Sequence, residues 1–373
     1  MFLEQLKLTD FKNYHTASLL FSEKINCFIG NNGAGKTNLL DAIYYLSFCK
    51  SYFNPIDQQN IRHGDDFFAV HGQYRRNGDQ DQISCVQKKQ HKKSFKFNKK
   101  EYDRLADHIG KIPLVMVSPY DRDLINEGSE VRRKFIDGML SQFDPIYLDQ
   151  LLQYNKVLLQ RNILLRQYAE TGHLDQHLMQ LWDEQLSKAG HFLFEKRQNF
   201  LLTFIPVFQS YYNLVAGSQE TVTIEYESSL SETHLLDSLM ANRQRDRQLR
   251  YTVTGIHKDD LLFKIEGHPL KKFGSQGQQK SFVIAIKLAQ FDITRNTLGF
   301  KPILLFDDIF DKLDDQRVDH IIQLVGDDNF GQVFITDTQE QRIRRLFDEK
   351  TIEHRIFMVE GGQAHQISTE EQP

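Results

Sequence analysis

The 373-residue sequence has three cysteines, Cys27, Cys49 and Cys85, and they share no metal-ligand spacing. This argues against a disulfide-stapled scaffold and against a cysteine metal site. No apolar run approaches the ~20 residues that cross a bilayer, so no membrane span is expected. The opening Met1-Phe2-Leu3-Glu4-Gln5 lacks the basic-then-apolar pattern of a leader peptide. Reduced thiols in a cytoplasmic protein with no membrane partner are the expectation. Basic excess is also missing: the formal net charge is −4. That weighs against a nucleic-acid coat protein but leaves room for a local basic face. There are no internal repeats and no low-complexity segment.

Hydrophobic residues make up 40% of the chain, enough for two domains or for one with a large insertion. The most informative stretch is Gly30-Asn31-Asn32-Gly33-Ala34-Gly35-Lys36-Thr37, followed by Asn38. It fits the phosphate-binding P-loop, G-x-x-x-x-G-K-[ST], at every fixed position. Ile25 to Ile29 before it predicts a buried strand. Asn38 to Phe48 after it carries Leu39, Leu40, Ile43 and Leu46 at helical spacing. Glycines let backbone N–H groups turn inward around an anion, and the helix N-terminus adds partial positive charge. Lys36 then reaches the outer phosphates, and the Thr37 hydroxyl can ligate Mg²⁺.

Elsewhere, strands are predicted at 2–8, at Leu19 to Phe21 and at Ile112 to Val117, with hairpins between 67 and 100. After Ser118-Pro119 the texture becomes helical, with candidates at 129–141, 145–171, 174–200 and 201–215. Strands return at Thr221 to Tyr226 and Leu261 to Ile265, and a helix is expected from Ser281 to Asn296. The tail, Glu370 to Pro373, is polar and expected to fray. The domain expectation is a head built from 1–118 and 219–373, with a helical lobe at 119–218.

Ile303 to Phe306 is an apolar run ending in Asp307 and Asp308, the Walker B form. A buried parallel strand reads as such a run, and its carboxyl end is where open α/β sheets place ligands. Asp307 is expected to hold Mg²⁺ opposite Thr37. Asp308 stands where a base orients the attacking water, so Lys36 and Asp308 are the candidate catalytic residues. Gly274-Ser275-Gln276-Gly277-Gln278-Gln279 precedes the Ser281 helix. It has the place and shape of an ABC-type signature, in which Ser275, Gly277 and Gln278 of one copy meet the nucleotide of another. A capped flexible loop is the plainer alternative, and the motif order speaks against it. The fold class is therefore α/β, an ABC/SMC-type P-loop ATPase head with an inserted, mainly helical second lobe.

These motifs, in this order, resemble the RecF family of bacterial recombination-repair ATPases, related to SMC heads. Phe11-Lys12-Asn13-Tyr14 is similar to the family's F-R-N-Y, with Lys12 for Arg, and this adds Lys12 to the cofactor-binding set. Ser118-Pro119, Asp123 to Ile125, Gly128-Ser129 and Arg132-Arg133 resemble the opening of the second lobe. Tyr154 to Asn162 resembles Y-x-x-x-L-x-x-R-N, and Thr254 to Leu261 resembles T-G-P-H-R-D-D-L. Like its relatives the chain carries Asp308 where wider ABC ATPases have Glu, which fits slow turnover. Ile335-Thr336-Asp337-Thr338 lacks a switch histidine, and Asp311 to Asp314 keeps the D-loop form. The resemblance implies an ATP-dependent homodimer with Mg²⁺ that binds double-stranded DNA near gaps and single–double-strand junctions. It further implies a weak DNA-stimulated ATPase and action with RecO and RecR in loading RecA during repair, replication restart and SOS induction.

Two basic clusters are candidates for DNA contact, since lysine and arginine neutralise phosphates without reading sequence. One holds Lys88, Lys89, Lys92, Lys93, Lys96, Lys99 and Lys100; the other holds Arg243, Arg245, Arg247 and Arg250. A solvated surface is the plainer reading of either. Arg132 and Arg133 are a third candidate, or else they pair with acids on neighbouring helices. The rival functional readings are an ABC-type ATPase subunit driving a membrane or other partner, a structural SMC-like protein and a small-molecule kinase.

Overall fold

The computed structural model describes residues 1–217, 220–309, 315–326, 330–348 and 353–367. The D-loop stretch 311–314, the tail 370–373 and the expected lobe boundary at 218/219 lie outside the described residues. The chain divides into two compact units: Met1–Asp121 with Leu214–Gly217 and the residues from Ile286 on, and Arg122–Asn213 with 218–285.

In the first unit, β1 (Phe2–Phe11) and β2 (Tyr14–Leu20) form a hairpin, and β3 (Ile25–Ile29) runs into α1 (Lys36–Phe48). The expected hairpins are β4 (Phe67–Arg76), β5 (Asp79–Lys88), β6 (Ser94–Phe97) and β7 (Lys100–Glu101). Asn77 and Gly78 join β4 to β5 with positive φ at both positions (51° and 92°), as a two-residue turn matched to strand twist requires. The antiparallel sheet has the order β2-β1-β4-β5-β6-β7. Buried Leu3, Leu6 and Leu8 do not alternate strictly along β1, because its pairing with β4 shifts between Leu3 and Gln5.

A second sheet contains β3, β8 (Leu114–Val117) and four strands that follow the second unit in sequence. The second unit is α2 (Asp123–Asn126), α3 (Ser129–Phe143), α4 (Pro145–Thr171), α5 (Gln176–Ala216), β9 (Val222–Glu227), α6 (Leu235–Ala241), α7 (Arg243–Leu249), β10 (Asp260–Ile265), β11 (His268–Pro269) and α8 (Leu270–Phe273). Then α9 (Gln276–Leu298), β12 (Ile303–Phe306), α10 (Asp315–Gly326), β13 (Val333–Asp337), α11 (Glu340–Asp348), β14 (His354–Glu360) and β15 (Gln363–Ile367) complete the chain. The second sheet runs β15-β14-β3-β13-β12-β8, parallel throughout except for β15. Strands β3, β8, β12 and β13 are buried at every position, as parallel strands covered on both faces must be. Leu39, Leu40, Ile43 and Leu46 of α1 share one core with Leu6, Val70 and Ile83 of the first sheet and Phe28, Leu305 and Phe334 of the second. That core fixes where α1 begins.

Two features of the second unit differ from the sequence expectation. The candidate helices 174–200 and 201–215 are one helix, α5, with Pro206 inside it. Phe200, Phe204, Phe208 and Tyr212 stay buried across the proline, so the apolar period outweighs the one lost backbone bond. The contacts also group 219–285 with the helices, whereas the sequence expectation placed them in the head. The reason is local: β9, β10 and β11 form their own three-stranded sheet, and β10 packs on α3.

Candidate nucleotide site

Where the phosphate loop leaves the end of β3, Gly30 and Gly35 have no room for a side chain. A Cβ on Gly30 would lie 2.2 Å from the Val359 carbonyl oxygen. Gly35 (φ 118°) is left-handed, and a Cβ there would meet Asn13 Nδ2 at 2.5 Å. The Phe11–Tyr14 motif clamps the loop from outside. Asn13 Nδ2 donates to the Ala34 carbonyl (3.0 Å), Asn13 Oδ1 accepts from Asn38 Nδ2 (2.7 Å), and the Tyr14 hydroxyl donates to the Gly35 carbonyl (3.1 Å). Lys36 lies within the loop, 4% exposed, with Nζ donating to the carbonyls of Gly30 (2.8 Å) and Asn31 (3.1 Å). Asn31, Asn32 and Gly33 are exposed, and Ala34, Thr37 and Asn38 are half-buried.

Strand order brings the second half of the site to this loop. β13 lies between β3 and β12, so the ends of all three parallel strands stand side by side. The Thr37 hydroxyl donates to Asp307 Oδ1 at 2.8 Å, joining residues far apart in sequence. The Thr336 hydroxyl sits 2.9 Å from the same oxygen and accepts the Asp308 N–H at 2.8 Å. Burial pushes the Asp307 carboxyl up to about 6; bonds from Thr37 and Thr336 pull it down, the Asp308 charge pushes it up, and Lys36 pulls it down. Asp308 is half-buried and has a left-handed backbone (φ 45°).

Lys12 does not lie on the loop. Its ammonium pairs with Asp41 Oδ2 of α1 at 2.6 Å and lies 5.4 Å from the centre of the Phe53 ring. Asp41 also accepts from the Ser51 hydroxyl and the Tyr52 N–H, so Lys12 braces the helix behind the loop.

In the second unit, Ser275 and Gln278 form a reciprocal capping box at the start of α9. The Gln278 N–H donates to Ser275 Oγ (3.2 Å), and the Ser275 N–H donates to Gln278 Oε1 (2.7 Å). Gln278 Nε2 is further held by Glu220 Oε1 at 2.7 Å. Ser275 is exposed and Gly277 is half-buried.

The other family-like motifs meet inside this unit. Tyr154 donates to His257 Nδ1 (2.8 Å), Arg161 pairs with Asp183 and Asp246 (both 2.7 Å), and Asn162 Oδ1 accepts from Thr252. Arg132 forks onto Asp260 at 2.6 and 2.8 Å, and Arg133 donates to the Asp259 carbonyl. Arg132 thus pairs with an acid, on a strand rather than on a helix as expected, while Arg133 is held by a backbone carbonyl.

The basic clusters divide by environment. Lys88 and Lys92 are exposed, and Lys89 pairs at the surface with Asp66. Lys93 corrects the sequence expectation. Its side chain is 9% exposed, and Nζ binds Asp57 Oδ2 (2.6 Å), the Tyr45 hydroxyl and the Cys49 carbonyl. Its charge is satisfied indoors and is not offered to DNA. Arg243 pairs with Asp183 at 2.8 Å, Arg245 is exposed, and Arg247 lies over the Tyr168 ring. The sequence reading gave no role to Asn13, Tyr14 or Thr336. For Thr336 the available signal was a hydroxyl residue directly after the apolar run Val333 to Ile335, in the segment that lacks the switch histidine.

The family model for the RecF/RecN/SMC N-terminal domain matches residues 2–364. A "DNA replication and repair protein RecF" of Flavobacterium johnsoniae is 52% identical over 357 residues, covering 96% of this chain and 99% of that one. The chain belongs to the RecF family. A RecF of Bacteroides fragilis is 48% identical over 372 residues and covers 100% of each chain. Among solved structures, the recombination mediator RecF with ATP, of the RecFOR pathway, superposes with a TM-score of 0.88 at 28% identity, covering 98% of each chain. An SMC head bound to the C-terminal winged-helix domain of ScpA gives 0.58 at 15% identity, with 100% of this chain and 99% of that one covered, a likeness of fold. The RecF-like DNA repair reading thus stands over that of an ATPase subunit for a membrane partner. No helix among the described residues is long and apolar enough to cross a membrane.

Proposed function

We propose that this RecF-family chain is an ATP-gated DNA clamp. The observation that carries the reading is the Thr37 hydroxyl on Asp307 at 2.8 Å, beside a loop in which Gly30 and Gly35 leave no space for side chains. That donor set suits a nucleoside triphosphate with Mg²⁺: the backbone from Gly30 to Asn38 and Lys36 for phosphate, Thr37 and Asp307 for the metal. The relative solved with ATP supports the choice of nucleotide. Asp308 is the base that orients water, and its short side chain suits slow turnover. Ser275, Gly277 and Gln278 of a second copy complete the site, so ATP joins two chains.

Exposed Lys88, Lys92 and Arg245, with Lys89, Arg243 and Arg247, are the proposed contacts to duplex DNA near gaps and junctions. RecR with RecO, and RecA, are the partners the family implies, in the cytoplasm. Sedimentation of the protein alone, with ATP, with duplex DNA and with both tests the reading. Dimers are expected only with ATP and are expected to last longest with duplex. A monomer under all four conditions would sink it.

A further inference from the structure

β13 separates the strand that ends in the phosphate loop from the strand that ends in Asp307. Its penultimate residue, Thr336, therefore stands between the two halves of the site, fully buried. A threonine hydroxyl has one proton and two lone pairs. One lone pair takes the Asp308 N–H at 2.8 Å. The proton has two acceptors in reach, Asp307 Oδ1 at 2.9 Å and Asp308 Oδ1 at 3.4 Å. Asp308 has φ 45°, a conformation that L residues seldom hold unless their surroundings impose it.

We infer that Thr336 is a positioning residue for hydrolysis, tethering the Asp308 backbone through its N–H while one hydroxyl proton serves either carboxylate. The inference rests on the ATP reading above. It assigns to β13 a task distinct from that of Asp307 and Thr37. The hydrogen bonds of the Thr336 hydroxyl go to Asp307 and Asp308, not to the loop that grips phosphate. Asp307 Oδ1 keeps the Thr37 hydroxyl as a second partner, so ground-state binding leans little on Thr336. The orientation of Asp308 toward an attacking water leans on it more, and that matters in the transition state.

The test uses the full chain with Mg²⁺ and three variants. Thr336→Val removes the hydroxyl at nearly constant shape, Thr336→Ser keeps it, and Thr336→Ala backs up Val should a thermal melt show that variant unfolded. Binding of a non-hydrolysable ATP analogue is compared with binding of ADP plus aluminium fluoride, which mimics the transition state, alongside kcat and KM. In Thr336→Val the analogue affinity and KM are expected to stay within about twofold, while kcat and aluminium-fluoride affinity fall about tenfold. Thr336→Ser is expected to stay within about threefold of the wild type on every readout. Equal losses for both ligands would make Thr336 a merely structural residue and overturn the inference, as would no loss, or a Ser variant as impaired as Val. A wild-type chain that binds neither ligand would overturn the ATP reading as well, a result distinct from any difference among variants.

Discussion

The arginine network of the second unit and the nucleotide site of the first both bury charged groups, but they satisfy them in opposite ways. Arg161 meets Asp183 and Asp246 at 2.7 Å, and Arg197 meets Asp137 and Asp259 at 2.8 and 3.3 Å. There each cation is cancelled by carboxylates within the fold. In the site, Lys36 meets only carbonyl oxygens among its described hydrogen bonds, and Asp307 meets two hydroxyls. Neutral partners hold these groups in place without cancelling their charge. A scaffold saturates its buried ions, whereas a site for phosphate and metal keeps them uncancelled.

Breaking the network has the largest expected effect. Arg161→Leu removes the cation from Asp246 and leaves Asp183 with Arg243 alone, and is expected to cost about 3–5 kcal/mol in a denaturant melt. A loss below about 1 kcal/mol would show that the network is not the scaffold of its unit. At the site the balance reverses. Lys36→Arg is expected to keep the fold, with stability within about 1 kcal/mol of the wild type, yet to weaken ATP-driven dimerisation by about tenfold or more. Light scattering with ATP reads this, and an unfolded variant would erase the contrast.

A smaller effect, common to both units, depends on pH. Burial pushes His108 and His257 down to about 4, and both sit neutral between hydrogen-bond partners. The unfolded chain takes up these protons near 6.5, while the fold resists down to about 4. Stability is therefore fully present above 6.5 and falls as pH drops toward 4, by at most about 1.4 kcal/mol per pH unit for each ring. His108→Gln and His257→Gln are each expected to flatten the acid limb of a melt series by a similar amount, because both rings fall from 6.5 to about 4. Equal slopes in all three proteins would assign acid sensitivity to other groups.

How far the sequence showed this depends on how local each feature is. The loop from Gly30 to Thr37 is contiguous, and its glycines answer a backbone demand that leaves few substitutes. The run Ile303 to Phe306 before Asp307 declares a strand buried on both faces. The signature was legible as a shape, and its capping box follows from the Ser275 and Gln278 spacing. What was hidden depends on partners distant in sequence. A lysine shows its charge but not its acid, so Lys93 read as surface until Asp57 was found beside it. Nothing in residues 333–337 says that β13 inserts between β3 and β12, so Thr336 had no visible role. The break expected between 200 and 201 is absent because Phe200, Phe204 and Phe208 continue one buried face through it.

The central claim is that one chain supplies half of each nucleotide site and a second copy supplies Ser275. Sedimentation of Ser275→Arg with ATP, beside binding of ATP to the same protein, tests this most directly. The variant is expected to bind ATP as the wild type does and to remain a monomer at concentrations where the wild type dimerises. A Ser275→Arg chain that dimerises normally with ATP would contradict the account.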